Sequence, residues 1–279
     1  GDRMIALAGA TIAERNGFEN DRTVYGELLY ALTDNVRATF GVEVGSGEIV
    51  DNQYGFRVGL TSRFSDRHTA NENYNSRRNL LQTSFTRSYD DTIGDFGYDI
   101  GFDTSDTAAS ADASATYINN RFRSRMAYIT SGEDLGHVGE NNTAFLQLGS
   151  SIAFAGGDFA IGRPISDSFL IARPHDSLDE QDVIIGNELR GSDFTARSGL
   201  FGAALQPRMY SYSQQTVVYD LLDAPAGIDI GTGLETMQPP YRSGYHLVVG
   251  TDANYSAVGT LKFGAEPAAL LTGDISSAD

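Results

Sequence analysis

Few residues in this chain are arranged for covalent chemistry. The four histidines, His68, His137, His175 and His246, lie in separate segments, and none has a second ligand at the short spacings that hold zinc. The carboxylate pairs Asp90-Asp91 and Asp179-Glu180 sit in turn-like polar stretches, which suits solvated surface better than acid–base work. Ser166-Asp167-Ser168 has no base near it in sequence, and neither a GxGxxG nor a GxSxG motif occurs. Gly156-Gly157 reads as a hairpin turn. No catalytic residue, metal site or cofactor is expected. One set of side chains with a charge pattern does stand out. Arg121, Arg123 and Arg125 alternate with apolar residues, so they share one strand face and point at a lumen or at solvent.

The elements that carry these residues are strands. Val36, Ala38, Phe40, Val42 and Val44 interleave with Arg37, Thr39, Gly41, Glu43 and Gly45. Tyr54, Phe56, Val58 and Leu60, and later Phe96, Tyr98, Ile100 and Phe102, repeat the pattern against Gly, Arg, Thr and Asp. A period of two gives each strand one apolar and one polar face. The pattern predicts strands near 4–13, 23–33, 36–46, 52–64, 79–89, 94–104, 111–119, 121–130, 143–155 and 158–163. Tight turns at Asp34-Asn35 and Asn119-Asn120 alternate with longer polar loops at 65–78 and 131–142. Two architectures share this signature: an up-and-down membrane barrel with its apolar face on lipid, and a water-soluble sandwich with that face in a core. The barrel requires a continuous antiparallel meander with Val36, Phe40, Val42, Phe56, Val58, Phe96 and Ile100 all on its outer side.

Composition narrows the partners. The chain has 279 residues and a net charge of −17, which argues against a nucleic-acid partner; its basic charge is almost all arginine, with Lys262 the only lysine. It has no cysteine, which excludes disulfides and thiolate metal sites and fits an exported protein. No apolar run approaches the length of a transmembrane helix, and Gly1-Asp2-Arg3 running straight into an alternating strand reads as a mature start or, better, as a piece of a longer chain, not as a signal peptide. After about residue 164 the long strands stop. Shorter ones are expected at Phe169–Ala172, Val183–Ile185, Gly199–Leu205, Gln215–Tyr219, His246–Gly250 and Ala257–Phe263, the signature of a small β-sandwich.

Several stretches resemble outer-membrane ushers of the chaperone–usher pilus pathway, in the alternative, colonisation-factor-like class. LGSSIAFAGGDFAIGRPISDSFLIARP (148–174) is similar to the last barrel hairpin and its exit, with Arg163, Pro164, Asp167, Ser168, Phe169 and Leu170 at motif positions. SDFTARSGLFGAAL resembles a family turn, with Ser192-Asp193 and Gly199 in place. In PPYRSGYHLVVG the matches are Pro239, Pro240, Tyr241, Ser243, Gly244, Tyr245, Val249 and Gly250, followed by Gly259-Thr260-Leu261 and Leu270 to Gly273. The likeness is carried by the C-terminal side; over 1–147 only the strand pattern agrees.

The resemblance implies an all-β protein: residues 1–167 as the C-terminal antiparallel strands of a large transmembrane β-barrel, 168–270 as a periplasmic β-sandwich, and 271–279 as the start of a further domain. It implies a piece of a longer chain, since ushers are several times longer. It also implies a non-enzymatic pore in the bacterial outer membrane that orders pilus subunits delivered by a periplasmic chaperone, with no cofactor, nucleic acid or small-molecule substrate. Arg121, Arg123 and Arg125 would face the lumen, and Phe201, Tyr210 and Tyr212 would touch the chaperone–subunit pair. A porin-like channel and a soluble secreted adhesin or carbohydrate-active enzyme are the rival readings.

Overall fold

The structure is a computed structural model, which describes residues 3–13, 21–46, 53–186, 193–224, 230–251, 262–263 and 266–267. It is all-β, with no α-helix among the described residues. The chain forms two compact units, one of residues 1–152 and 161–166 and the other of residues 153–160 and 167–279.

The first unit is a single sheet of ten strands in chain order, each pairing antiparallel with the next. They are β1 (Met4–Ala13), β2 (Asp21–Ala31), β3 (Val36–Ser46), β4 (Gln53–Arg63), β5 (His68–Asn75), β6 (Leu80–Arg87), β7 (Phe96–Thr104), β8 (Ala109–Ile118), β9 (Arg123–Gly132) and β10 (Asn141–Gly149). Register keeps the apolar residues on one side throughout. Phe40 pairs with Val58, Val58 with Tyr74 and Tyr74 with Leu81. Phe85 then pairs with Ile100, Ile100 with Ala113 and Ala113 with Tyr128. The seven residues expected together therefore share a face. Among the described residues no second layer covers it: Phe40, Val42, Phe56, Val58, Phe96 and Ile100 are 44–50% exposed. Ala109 and Ile118 are the only buried hydrophobic residues of this unit among those described.

Three sequence expectations are corrected. The stretch 65–78 is not a loop but strand β5 between two tight turns, in which Phe64 N–H donates to His68 O (2.9 Å) and Asn79 N–H to Ser76 O (3.4 Å). Its alternation is masked because Glu72 occupies an apolar-face position, paired with Leu60 and Thr83. The stretch 143–155 is two strands, β10 and β11 (Ser151–Ala155). They separate at Ser150, whose hydroxyl donates to Arg121 O (2.8 Å) and Gly162 O (3.1 Å). Strand β9 begins at Arg123, so Arg121 lies in the turn before it, which is closed by Asn119 N–H to Phe122 O (2.9 Å).

Strand β11 pairs with β12 (Asp158–Gly162) through Gly156-Gly157, whose φ values of 61° and 91° only glycine adopts without strain. The base of this hairpin counts with the first unit and its tip with the second.

The second unit holds β13 (Ser168–Pro174), β14 (Asp182–Gly186), β15 (Ala196–Arg197), β16 (Ala204–Met209), β17 (Gln215–Leu222), β18 (Leu234–Met237) and β19 (Gly244–Val249). They form a three-stranded sheet, β16-β13-β19, and a four-stranded sheet, β15-β14-β17-β18. The pair β13–β19 is parallel. Leu170, Met209 and Val249 from one sheet meet Val183, Ile185, Val217, Tyr219 and Met237 from the other in one buried cluster. Among the described residues this unit has a buried hydrophobic core of its own and the first does not. Of the strand expected at 257–263 only 262–263 is described, pairing with 266–267, and Ser192, Gly259-Thr260-Leu261 and Leu270–Gly273 lie outside the described residues.

Candidate functional site

The motif residues of the C-terminal side meet at one corner of the second unit. Asp167 precedes strand β13 and Ser168 opens it, β16 runs out into the turn 210–213, and β19 is entered through Pro239–Ser243. Ser168, wholly buried, donates from its hydroxyl to Pro240 O (2.7 Å) and accepts from Ser243 N–H (3.0 Å). The Asp167 carboxylate accepts from the Ser211 hydroxyl (2.6 Å) and N–H (2.9 Å). Those two bonds hold its pKa below the usual carboxylate value, with Arg242 helping. Three segments far apart in sequence are thus tied by two adjacent side chains.

Three further motif positions, Gly244, Pro239 and Tyr245, have packing reasons. Gly244 faces the Phe169 ring: a Cβ placed there would lie 2.5 Å from the ring's Cζ atom, well inside contact distance. Pro239 is fully buried, and its carbonyl accepts from Tyr212 N–H (2.7 Å). The Tyr245 ring packs on the core while its hydroxyl donates to Gln238 O (3.2 Å). Tyr212 and Arg242 take left-handed φ values of 59° and 49°, an unfavourable conformation for residues with side chains, about 1 kcal/mol or more each. This framework presents Tyr210, Tyr212 and Tyr241 outward, 59%, 70% and 61% exposed, with the Arg242 guanidinium 5.2 Å from the centre of the Tyr241 ring. Phe201 is not with them. It sits beside the fully exposed Leu200 at a separate turn closed by Gly199 and Gly202, each N–H donating to the other's carbonyl.

In the first unit the three arginines divide. Arg123 and Arg125 stand on the polar face, opposite Ile118 and Thr116 of β8. Arg123 donates to the Tyr89 hydroxyl. Arg121, in its turn, donates instead to Ile161 O (2.7 Å). Motif residue Arg163 is 3% exposed and reaches the carboxylate of Asp91 and, at 3.1 Å, its carbonyl. Pro164 lies over Gly149, where a side chain would collide with its ring.

The segment 88–95 that receives Arg163 was not legible as important. Asp90 pairs with Arg67, and Asp95 with Arg67 (2.8 Å) and Arg87 (3.2 Å). Burial works to raise the Asp95 pKa, but N–H donors from Asp90 and Phe96 and the two guanidiniums outweigh it and hold it low. The sequence offered Asp90-Asp91 only as solvated surface; their partners, Arg67 and Arg163, come from the fold. The fold also joins His246, Asp158 and Arg173: Asp158 lies 2.5 Å from the histidine Nε2 and 2.8 Å from the arginine Nε. Among the described residues no three His, Cys, Asp or Glu side chains converge as a metal site, and no helix is long and apolar enough to cross a membrane.

The apolar face of the ten-stranded sheet has its own geometry. The middle of the apolar segment falls between Phe56 and Val58 on β4 but at Leu146 on β10. Following the pairing, Leu146 lines up through Met126, Ala115, Tyr98 and Arg87 with His68, and so with Phe64 just past the end of β4. The apolar band therefore drifts by about one residue per strand relative to the pairing rows, an angle of roughly 40° for a 3.3 Å rise and 4.8 Å strand spacing.

No protein-family model matches the chain, and no curated protein matches it. Among solved structures it is similar to the Bacillus anthracis TIE protein, at 9% identity and a TM-score of 0.20 over 88% of this chain. The chain spans 40% of that protein's chain.

Proposed function

We propose that this chain is the C-terminal part of an outer-membrane usher, in which the ten strands belong to a large transmembrane barrel and the second unit is a periplasmic β-sandwich. The observation that carries the membrane reading is a sheet with no core. Ten strands expose a continuous apolar face, and nearly all buried hydrophobic residues belong to the other unit. In water such a surface is a liability far larger than the patches monomers tolerate; against lipid tails it is what a membrane strand requires. The oblique apolar band supports the same reading, because strands tilted by about 35–45° cross a level bilayer obliquely to their own pairing rows. Aromatic side chains collect near both ends of the strands, with Tyr54, Phe56 and Tyr74 at one end and Phe64, Phe85 and Tyr98 at the other, as at membrane interfaces.

The usher identity rests on the resemblance of the C-terminal motifs, whose members Asp167, Ser168, Pro240, Ser243 and Gly244 form one corner. In this reading that corner holds Tyr210 and Tyr212 outward toward the chaperone–subunit complex, Phe201 offers a second apolar contact, and Arg123 and Arg125 line the lumen. Subunits then join by strand exchange without nucleotide. Deleting 168–279 from the full-length parent should abolish pilus assembly while the barrel still inserts in the outer membrane. Normal piliation after the deletion would refute the role of the second unit.

A further inference from the structure

We propose that Arg123 and Arg125 form a niche that binds a single carboxylate of a polypeptide, a site that deepens the usher reading by giving the polar face a ligand. The two arginines lie two residues apart on β9, so their side chains rise from the same face about 7 Å apart. Between them and segment 88–95 lies a cavity of about 320 Å³, with the hydroxyl side chains of Ser114 and Thr116 on its floor. It exists because Gly97 has no side chain: the Tyr89 ring folds across that glycine and receives the Arg123 guanidinium. Arg125 is exposed and makes no hydrogen bond or ion pair with any described residue.

Charge selects the ligand. Asp99 is the one acid lining the cavity, and one of its oxygens already accepts from the Thr86 hydroxyl (2.5 Å). Arg87 also borders the cavity, but its charge is matched by Asp95. Within the lining, two guanidiniums stand against one carboxylate, a net +1 that one carboxylate neutralises; the further acids Asp103 and Asp112, the latter electrostatically coupled to Asp99 and Asp103, disfavour a phosphate dianion. A guanidinium meets a carboxylate through two parallel hydrogen bonds, so a free arginine beside a tethered one is suited to the planar group. Tyr89 is held ready by the ion pairs of its own segment, Asp90 with Arg67 and Asp91 with Arg163, which lowers the ordering cost of binding.

The test titrates the 279-residue chain in detergent micelles with a blocked Gly-Asp-Gly peptide and follows the arginine Nε–H resonances. Saturable binding is expected, with the Gly-Asn-Gly peptide inert and inorganic phosphate weaker than the aspartyl peptide. Arg125→Gln, an exposed change, should weaken binding by about tenfold and Arg125→Lys by less, because lysine keeps the charge but not the fork. Unchanged affinity in Arg125→Gln, equal binding of the asparagine peptide, or tighter binding of phosphate overturns the site. The readout is independent of piliation, so a failed niche beside a piliation defect on deleting 168–279 removes the niche and leaves the usher reading.

Discussion

Arg163 donates to both the carboxylate and the carbonyl of Asp91, residues 72 positions apart, while only 3% of its own side chain is exposed. A nearly buried guanidinium needs such a partner, because an unpaired charge there is strongly unfavourable. Arg163→Gln should therefore destabilise the first unit by about 2 kcal/mol, and Asp91→Asn by less, since that carboxylate is partly solvated. Denaturant titrations of the two single variants and the double variant would give the coupling. Additive losses would show that the pair does not act as one.

Gly244 pairs with Phe169 in the parallel β13–β19 ladder and lies under its ring. Gly244→Ala should cost about 1–3 kcal/mol in the second unit by forcing the ring aside. Phe169→Leu in the same chain should recover part of that loss. Thermal unfolding reads both, and a neutral Gly244→Ala would contradict the packing.

The Asp167 carboxylate is held below its ordinary pKa by Ser211. A carboxylate with a lower pKa folded than unfolded binds more protons when unfolded at acid pH, so its contribution is present above about pH 4 and fades as pH falls through the lower, folded value. Asp167→Asn and Ser211→Ala should each flatten the acid limb of second-unit stability as pH falls below about 4. Parallel acid limbs in variant and parent would sink this assignment.

Much of the first unit was readable because a period of two survives wherever one face meets a uniform environment. Strand β5 was hidden by a single residue, Glu72, the one acidic side chain on the apolar face among the described strands. Arg121 shows the opposite failure: the alternation continues past the strand into the turn that Asn119-Asn120 marks, where the Asn119 side-chain oxygen accepts from Arg121 N–H (3.0 Å) and Asn119 N–H donates to Phe122 O. The corner of Asp167, Ser168, Ser211 and Pro240 was legible only as separate motifs, since hydrogen bonds across 44 and 72 positions depend on the tertiary path. Pairings such as Asp91 with Arg163 and Asp158 with His246 were invisible for the same reason.

Glu72 also makes a prediction. A carboxylate in the middle of a lipid-facing band is unfavourable, so Glu72→Leu should stabilise the sheet in bilayers by about 1–2 kcal/mol. Urea unfolding from lipid vesicles measures it. Destabilisation by leucine would mean that this position faces water.

The chain contains no tryptophan, so a single introduced indole reports one position without background. Phe40→Trp and Leu146→Trp should both be quenched by brominated acyl chains and at the same bilayer depth. Along the pairing rows alone, the two positions would differ in depth by about 20 Å. Gln82→Trp, on the opposite face, should escape quenching, with β-sheet content checked by circular dichroism. Equal quenching on both faces, or none on the apolar face, would contradict a lipid-facing sheet.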